Sequence, residues 1–220
     1  MAEQNTSQTT SRIVPWLYWG LWPFHRLLLW FYFAKITIVG REQLPKDGGF
    51  VLAPKHYSRW DPVILALVWF RPLRFMTNAI EFRGVQGWFI RRLGAFSINL
   101  NRPQASSLRH ALEILKTGQP LVLFPEGGIE RELPVRPLKP GLARLVLQAQ
   151  GDRPIPIFPV GIVYTPCPQF RCRVSVYIAP PLWVERNGCD RQPLKQRAQQ
   201  LTEELHKALL DAVTQAAQVD

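Results

Sequence analysis

From residue 35 onward, short β-branched runs alternate with stretches in which apolar residues recur every three or four positions. The runs ITIVG, GFVLAP, LRFMT, AFSINL, PLVLFPE, IPIFPVGIVY and RCRVSVYIA are predicted strands, since Val, Ile and aromatic side chains suit a pleated, half-buried surface. Between them, residues 62–70, 85–93, 106–116 and 141–150 carry helical periodicity. A closing amphipathic helix is predicted over 191–217, with Leu194, Ala198, Leu201, Leu205, Leu209 and Val213 on one stripe. Such alternation predicts an α/β fold: a single-domain α/β sandwich over residues 36–220 with a mixed, largely parallel sheet. No repeat, low-complexity tract or linker marks a second domain.

The pattern before residue 35 is different. Residues 1–12 are polar, rich in Ser, Thr and Gln, and read as a disordered leader. Residues 13–33, IVPWLYWGLWPFHRLLLWFYF, then hold nine of the chain's 25 aromatics. A secretory signal needs a basic start, an aliphatic core and a small-residue cleavage site, which this segment lacks. A membrane-crossing helix needs about 20 uninterrupted apolar residues, and Pro23, His25 and Arg26 interrupt the run. Flanked by Arg12 and Lys35 and dense in Trp, residues 13–35 read as a membrane-interacting helical segment at headgroup level, a pair of short helices kinked around Pro23. The competing readings are a buried packing helix, in which each Trp would need a partner for its indole N–H, and a true span with Arg26 snorkelling.

Charge sharpens this picture. The net charge is +11, which calls for an anionic partner: nucleic acid, an anionic membrane or a phosphorylated substrate. From Lys55 to Arg109 nine Lys or Arg face only Asp61 and Glu81, so this segment carries most of the excess. No nucleic-acid module or basic recognition helix is visible, which argues against nucleic acid. The three cysteines, Cys167, Cys172 and Cys189, fit no zinc or redox spacing and read as free thiols in a reducing compartment. No metal site is expected. The expected location is the cytoplasmic side of a membrane; the oligomeric state is left open.

Two segments hold candidate chemistry. KHYSRWDP places His56 and Asp61 five positions apart, between a predicted strand and a predicted helix, where α/β active-site loops gather. One reading makes Asp61 the N-cap of a helix with Pro62 at its first position. The other makes His56 a general base and Asp61 the carboxylate that orients it. A protein nucleophile is not indicated, because the G-x-S-x-G elbow is absent. The second segment is LVLFPEGGIERE. There Gly127 and Gly128 allow close backbone approach and offer N–H groups to an anion, and Glu126 is placed to accept from an acceptor's hydroxyls.

H-x4-D followed about 65 residues later by F-P-E-G resembles the glycerolipid acyltransferase family, whose best-known members are 1-acylglycerol-3-phosphate acyltransferases. Between these motifs GAFSINLNR resembles the family's second block, ending at Arg102, and after them IPIFPVGI resembles the fourth, with Pro156 and Pro159. LKPGLARL, with Lys139 and Gly141, matches the family's entry to the next helix. The resemblance implies that His56 deprotonates a glycerol hydroxyl, which attacks an acyl thioester directly while Asp61 orients the histidine. It implies that Arg102, Glu126, Gly127, Gly128 and Lys139 bind the acceptor. No cofactor is implied beyond acyl-CoA or acyl-carrier protein as co-substrate, and the partners are membrane lipids and that donor. Two motifs depart from the family: Lys55 stands where Asn usually precedes the histidine, and Gly128–Ile129 replace the usual Thr–Arg. The second departure keeps open another lipid alcohol or lysolipid as acceptor. A silent lipid-binding protein would keep the aromatic segment and basic face, but has no need of both His56 and Asp61.

Overall fold

The computed structural model describes residues 10–99, 103–151, 154–184 and 193–219. In chain order the strands are β1 (Lys35–Val39), β2 (Val51–Pro54), β3 (Arg74–Asn78), β4 (Ala95–Ile98), β5 (Leu121–Val122), β6 (Ile155–Thr165), β7 (Arg173–Ile178) and β8 (Leu182–Val184). The helices are α1 (Pro15–Tyr32), α2 (Asp61–Leu65), α3 (Gly84–Arg92), α4 (Ala105–Lys116), α5 (Gly141–Ala149) and α6 (Leu194–Ala217), with single 3-10 turns at Arg41–Gln43 and Ala79–Phe82.

β2 shows how the sheet is built. All its residues are buried, and they divide between two cores: Val51 and Ala53 face one, Leu52 the other, as a two-residue period requires. A strand buried on both faces belongs at the centre of a parallel sheet. β2 accordingly lies between β5 and β6, parallel to both. The full order is β1-β7-β6-β2-β5-β3-β4, with β8 also paired to β6. β7 runs antiparallel to β6 and parallel to β1, so the sheet is mixed but mostly parallel.

Helices cover both faces. On one, Ile114 and Leu115 of α4, Leu145 and Val146 of α5, and Leu201 and Leu205 of α6 pack on the sheet. On the other, Leu29 of α1, Phe33, Ile64 and Leu65 of α2, and Val68 and Trp69 of the turns after it enclose the second core. α6 lies so close to β6 that a Cβ at Gly161 would fall 2.1 Å from the Ala212 carbonyl oxygen.

Several sequence-based expectations are corrected. α1 is one continuous helix through Pro23, not a kinked pair. Pro23 and Trp19 are exposed, so water can serve the carbonyl that loses its N–H partner. Of the expected leader, residues 1–9 lie outside the described residues, and the Ser11 hydroxyl accepts from Arg74 and pairs with His110. The helix expected over 62–70 stops at Leu65 and continues as tight turns. β5 is two residues long and β8 had no signal in the sequence pattern.

Candidate active site

β2 ends at Pro54, and the chain turns at once into residues 55–60 before α2 begins at Asp61. That turn is folded around the Asp61 carboxylate. Oδ2 accepts from His56 Nδ1 at 2.9 Å and from the backbone N–H groups of Tyr57 at 2.7 Å and Ser58 at 2.8 Å. Oδ1 accepts from the Tyr164 hydroxyl of β6 at 2.6 Å. Asp61 is fully buried, yet both oxygens are engaged, as a buried carboxylate requires. It does not cap α2: no side-chain bond caps that helix. A carboxylate acceptor fixes the proton on His56 Nδ1 and leaves Nε2 as the free ring nitrogen. Burial, then the adjacent Asp61 charge, push the Tyr164 hydroxyl well above its ordinary range, so it stays a donor.

A second buried carboxylate holds the same turn from behind. Glu126 Oε1 accepts the His56 backbone N–H at 2.8 Å, and Oε2 accepts from Lys55 Nζ at 2.9 Å and the Arg136 backbone N–H at 2.9 Å. Lys55 and Glu126 form an almost fully buried ion pair, and Lys55 also donates to the Leu133 carbonyl at 3.3 Å. The Glu130 backbone N–H returns to the His56 carbonyl at 2.9 Å. Residues 126–136 are thus laced onto the histidine turn. Within that loop the Glu130 carboxyl is drawn down to about 2, chiefly by the Glu132 N–H and, more weakly, by the Leu133 N–H and Arg136.

His56 stacks on Phe124, ring centroids 4.0 Å apart, and faces a cavity of about 730 Å³. Its lining includes Arg59, Gly127 and Gly128, with Phe124 against the histidine. Tyr18, Leu21 and Trp22 of α1, Val63 of α2 and Ile90 of α3 add a largely apolar wall. The volume falls within the range of small-molecule sites, and the apolar walls suit a hydrocarbon chain. His25 of α1 also lines it; burial lowers its pKa and its ring Nε2 donates to the Val63 carbonyl at 2.8 Å.

The structure brings together most, but not all, of the expected site residues. His56, Asp61, Gly127 and Gly128 converge. Glu126, expected to meet the acceptor, does not line the cavity and is fully buried with both oxygens occupied; it positions the histidine turn instead. The Gly127 N–H, expected to face an anion, closes a turn on the Phe124 carbonyl at 3.1 Å. Gly127 has φ +72° and sits against the end of the Lys139 side chain, which places that exposed ammonium behind the glycine pair. Arg136 lies beside Gly128 and pairs with Glu130 at 3.0 Å. Arg102 lies outside the described residues. Sequence reasoning missed Arg59, although it stands inside the His56–Asp61 motif, and Tyr164, which lies 103 residues from its partner. No group of three His, Cys, Asp or Glu side chains suited to a metal occurs among the described residues.

This dyad, cavity and mixed sheet coincide with a family match. The profile described as Acyltransferase matches residues 35–163, and the chain belongs to that family. It is 31% identical over 106 residues to a 1-acyl-sn-glycerol-3-phosphate acyltransferase of Streptococcus pneumoniae, covering 46% of this chain and 40% of that protein. It is 32% identical over 95 residues to the Bacillus subtilis protein of the same name, covering 42% of this chain and 47% of that one. The matches therefore span less than half the length of these relatives. The crystal structure of the 1-acyl-sn-glycerophosphate (LPA) acyltransferase PlsC from Thermotoga maritima shares the fold, with a TM-score of 0.64 at 22% identity, over 87% of this chain and 77% of that one.

Proposed function

We propose that this protein transfers a fatty acyl group from an acyl thioester to a glycerolipid hydroxyl, with 1-acylglycerol-3-phosphate as acceptor and phosphatidic acid as product. The observation that carries this reading is His56, held by Asp61 at 2.9 Å and facing an apolar-walled cavity with its second ring nitrogen free. His56 Nε2 takes the hydroxyl proton as the oxygen attacks the thioester carbonyl. The tetrahedral intermediate collapses, the C–S bond breaks, and the thiolate leaves with the proton returned by His56. The resident side chains suffice for this proton traffic, and the acyl donor, CoA or carrier protein, is the only co-substrate invoked. Arg59, Lys139 and Arg102 supply charge for the acceptor's phosphate, and the exposed Trp16, Trp19, Phe24 and Trp30 of α1 rest at the headgroup level of a membrane. No helix among the described residues is long and apolar enough to cross one.

The test is transfer in mixed micelles, with a panel of lyso-acceptors each offered acyl-CoA and acyl-carrier protein. Product from lysophosphatidic acid is expected, with His56→Ala and Asp61→Asn folded by circular dichroism and slower by about 10² to 10⁴. Arg102→Ala should raise KM for the acceptor and spare KM for the donor. Retained activity in His56→Ala sinks the mechanism. A second acceptor class is favoured by one observation: Gly128 and Ile129 add no cation to the wall, the neighbouring Arg136 is already paired with Glu130, and Arg59 with Glu81. Transfer to an uncharged lipid alcohol in preference to lysophosphatidic acid would move the assignment there.

A further inference from the structure

α3 presents two different faces. Gly87 presses it onto the Ala79–Phe82 turn, where a Cβ would stand 2.1 Å from the Phe82 carbonyl oxygen, and Ile90 points to the cavity. The opposite stripe, Val85, Trp88, Phe89 and Arg92, follows helical spacing. On it Val85 is 73% exposed, Trp88 45% and Phe89 37%, with Ile80 of the preceding turn at 61%. This is the reverse of a helix that covers a core, and contiguous exposed apolar surface of this kind marks an interaction site.

The charge beside the stripe selects the partner. Arg83 is exposed, and the Arg92 guanidinium lies 3.9 Å over the Trp88 ring. The nearest acid, Glu81, is engaged by Arg59 and Gln86. Trp and Phe with interleaved arginines is the composition of a segment that sinks its rings to the headgroup level while the cations meet lipid phosphates. The stripe is also tied to the other exposed aromatic face. The Val14 N–H donates to the Arg92 carbonyl at 3.0 Å and Ile13 bridges Leu93, so α1 departs from the end of α3, and the two helices wall one cavity.

We propose that the outer face of α3, with Ile80, is a second membrane-contact surface specific for anionic lipid, and that the cavity opens between it and α1 at the bilayer. Two contacts on either side of the cavity hold the protein in one orientation, where α1 alone would leave it free to roll about its own axis. The binding surface stands apart from the acyl-transfer reading; only the cavity's use as a lipid entry rests on it.

The experiment places an environment-sensitive nitrobenzoxadiazole label at Val85→Cys in the full chain carrying Cys167→Ser and Cys189→Ser, with Glu203→Cys on α6 as the control site. Vesicles are phosphatidylcholine alone or mixed equally with phosphatidylglycerol, and flotation reports binding. With anionic vesicles the label at 85 should blue-shift and brighten while the label at 203 does not. Trp88→Ser/Phe89→Ser should weaken vesicle affinity by at least about tenfold, and Arg83→Gln by roughly fivefold at low salt, with unchanged circular dichroism. The proposal is overturned if the chain does not float with anionic vesicles, or if it floats with the label at 85 still in water. It is equally overturned if that label becomes buried without lipid as concentration rises, which would assign the face to a second copy of the chain. Because none of these readouts needs turnover, a wet label in an active enzyme removes the surface alone. A buried label in a chain without transfer activity removes the acyl-transfer reading alone.

Discussion

Two buried carboxylates flank one histidine, and their roles differ by which of its atoms each one holds. Asp61 holds the ring and Glu126 holds the backbone. Tyr164→Phe would leave Asp61 Oδ1 buried without its donor, at a cost of about 1–3 kcal/mol or more for a charged acceptor, visible in urea denaturation. Transfer should slow with little change in acceptor KM, because the loosened group orients the base rather than touching substrate. Lys55→Ala would strand the Glu126 charge, an uncompensated buried ion worth about 3–5 kcal/mol. Lys55→Met combined with Glu126→Gln should recover much of that loss in stability; if the double variant is no better than the single one, the buried charge is not the cause. Sequence alone showed the His56–Asp61 spacing because both residues share one turn. It does not show how Glu126 is held, since nothing in F-P-E-G reveals that Lys55 and the Arg136 N–H surround that carboxylate.

The elements around the site are held by close backbone contacts and by one proton-sensitive link. At Gly161, Ala would drive its Cβ into the Ala212 carbonyl. It should destabilise the protein by about 1–3 kcal/mol as α6 is pushed off β6, measured as a fall in Tm. α1 is tied to α2 by the His25 bond to Val63. Burial, aided by Arg26, lowers the pKa of His25 in the folded state. The Val63 bond opposes this shift and survives protonation, so the proton-sensitive part is the burial of the neutral ring: its contribution is complete above the unfolded value of about 6.5 and is lost as pH falls toward the lowered folded value. Amide exchange over residues 24–32, corrected for intrinsic rates, should be faster at pH 5.5 than at 7.5, and His25→Gln should remove the difference. Alternation made most strands readable, but β5 is two residues long and is defined by its neighbours β2 and β3, not by its own pattern. Pro23 signals a break, yet tertiary support from buried Leu17, Tyr18 and Leu29 carries α1 through it.

At the scale of the molecule, the +11 charge acts at long range. For an anionic acceptor, kcat/KM should fall as the screening length shrinks from about 30 Å at 0.01 M salt to about 10 Å at 0.1 M, with kcat little changed. Equal values at both ionic strengths would show that the field plays no part in capture. The fold class was legible because strand–helix alternation leaves few topologies. The sheet order was not, because no local pattern says that β6 will insert between β2 and β7. That insertion has a consequence for how the protein comes into being. During synthesis Glu126 and then Tyr164, the latter 103 residues after Asp61, emerge only after His56 and Asp61. Until β6 is made, β2 lacks one neighbour and Asp61 lacks its hydroxyl donor. A nascent chain that stops short of β6 thus carries His56 and Asp61 without the Tyr164 hydroxyl that completes the frame around them.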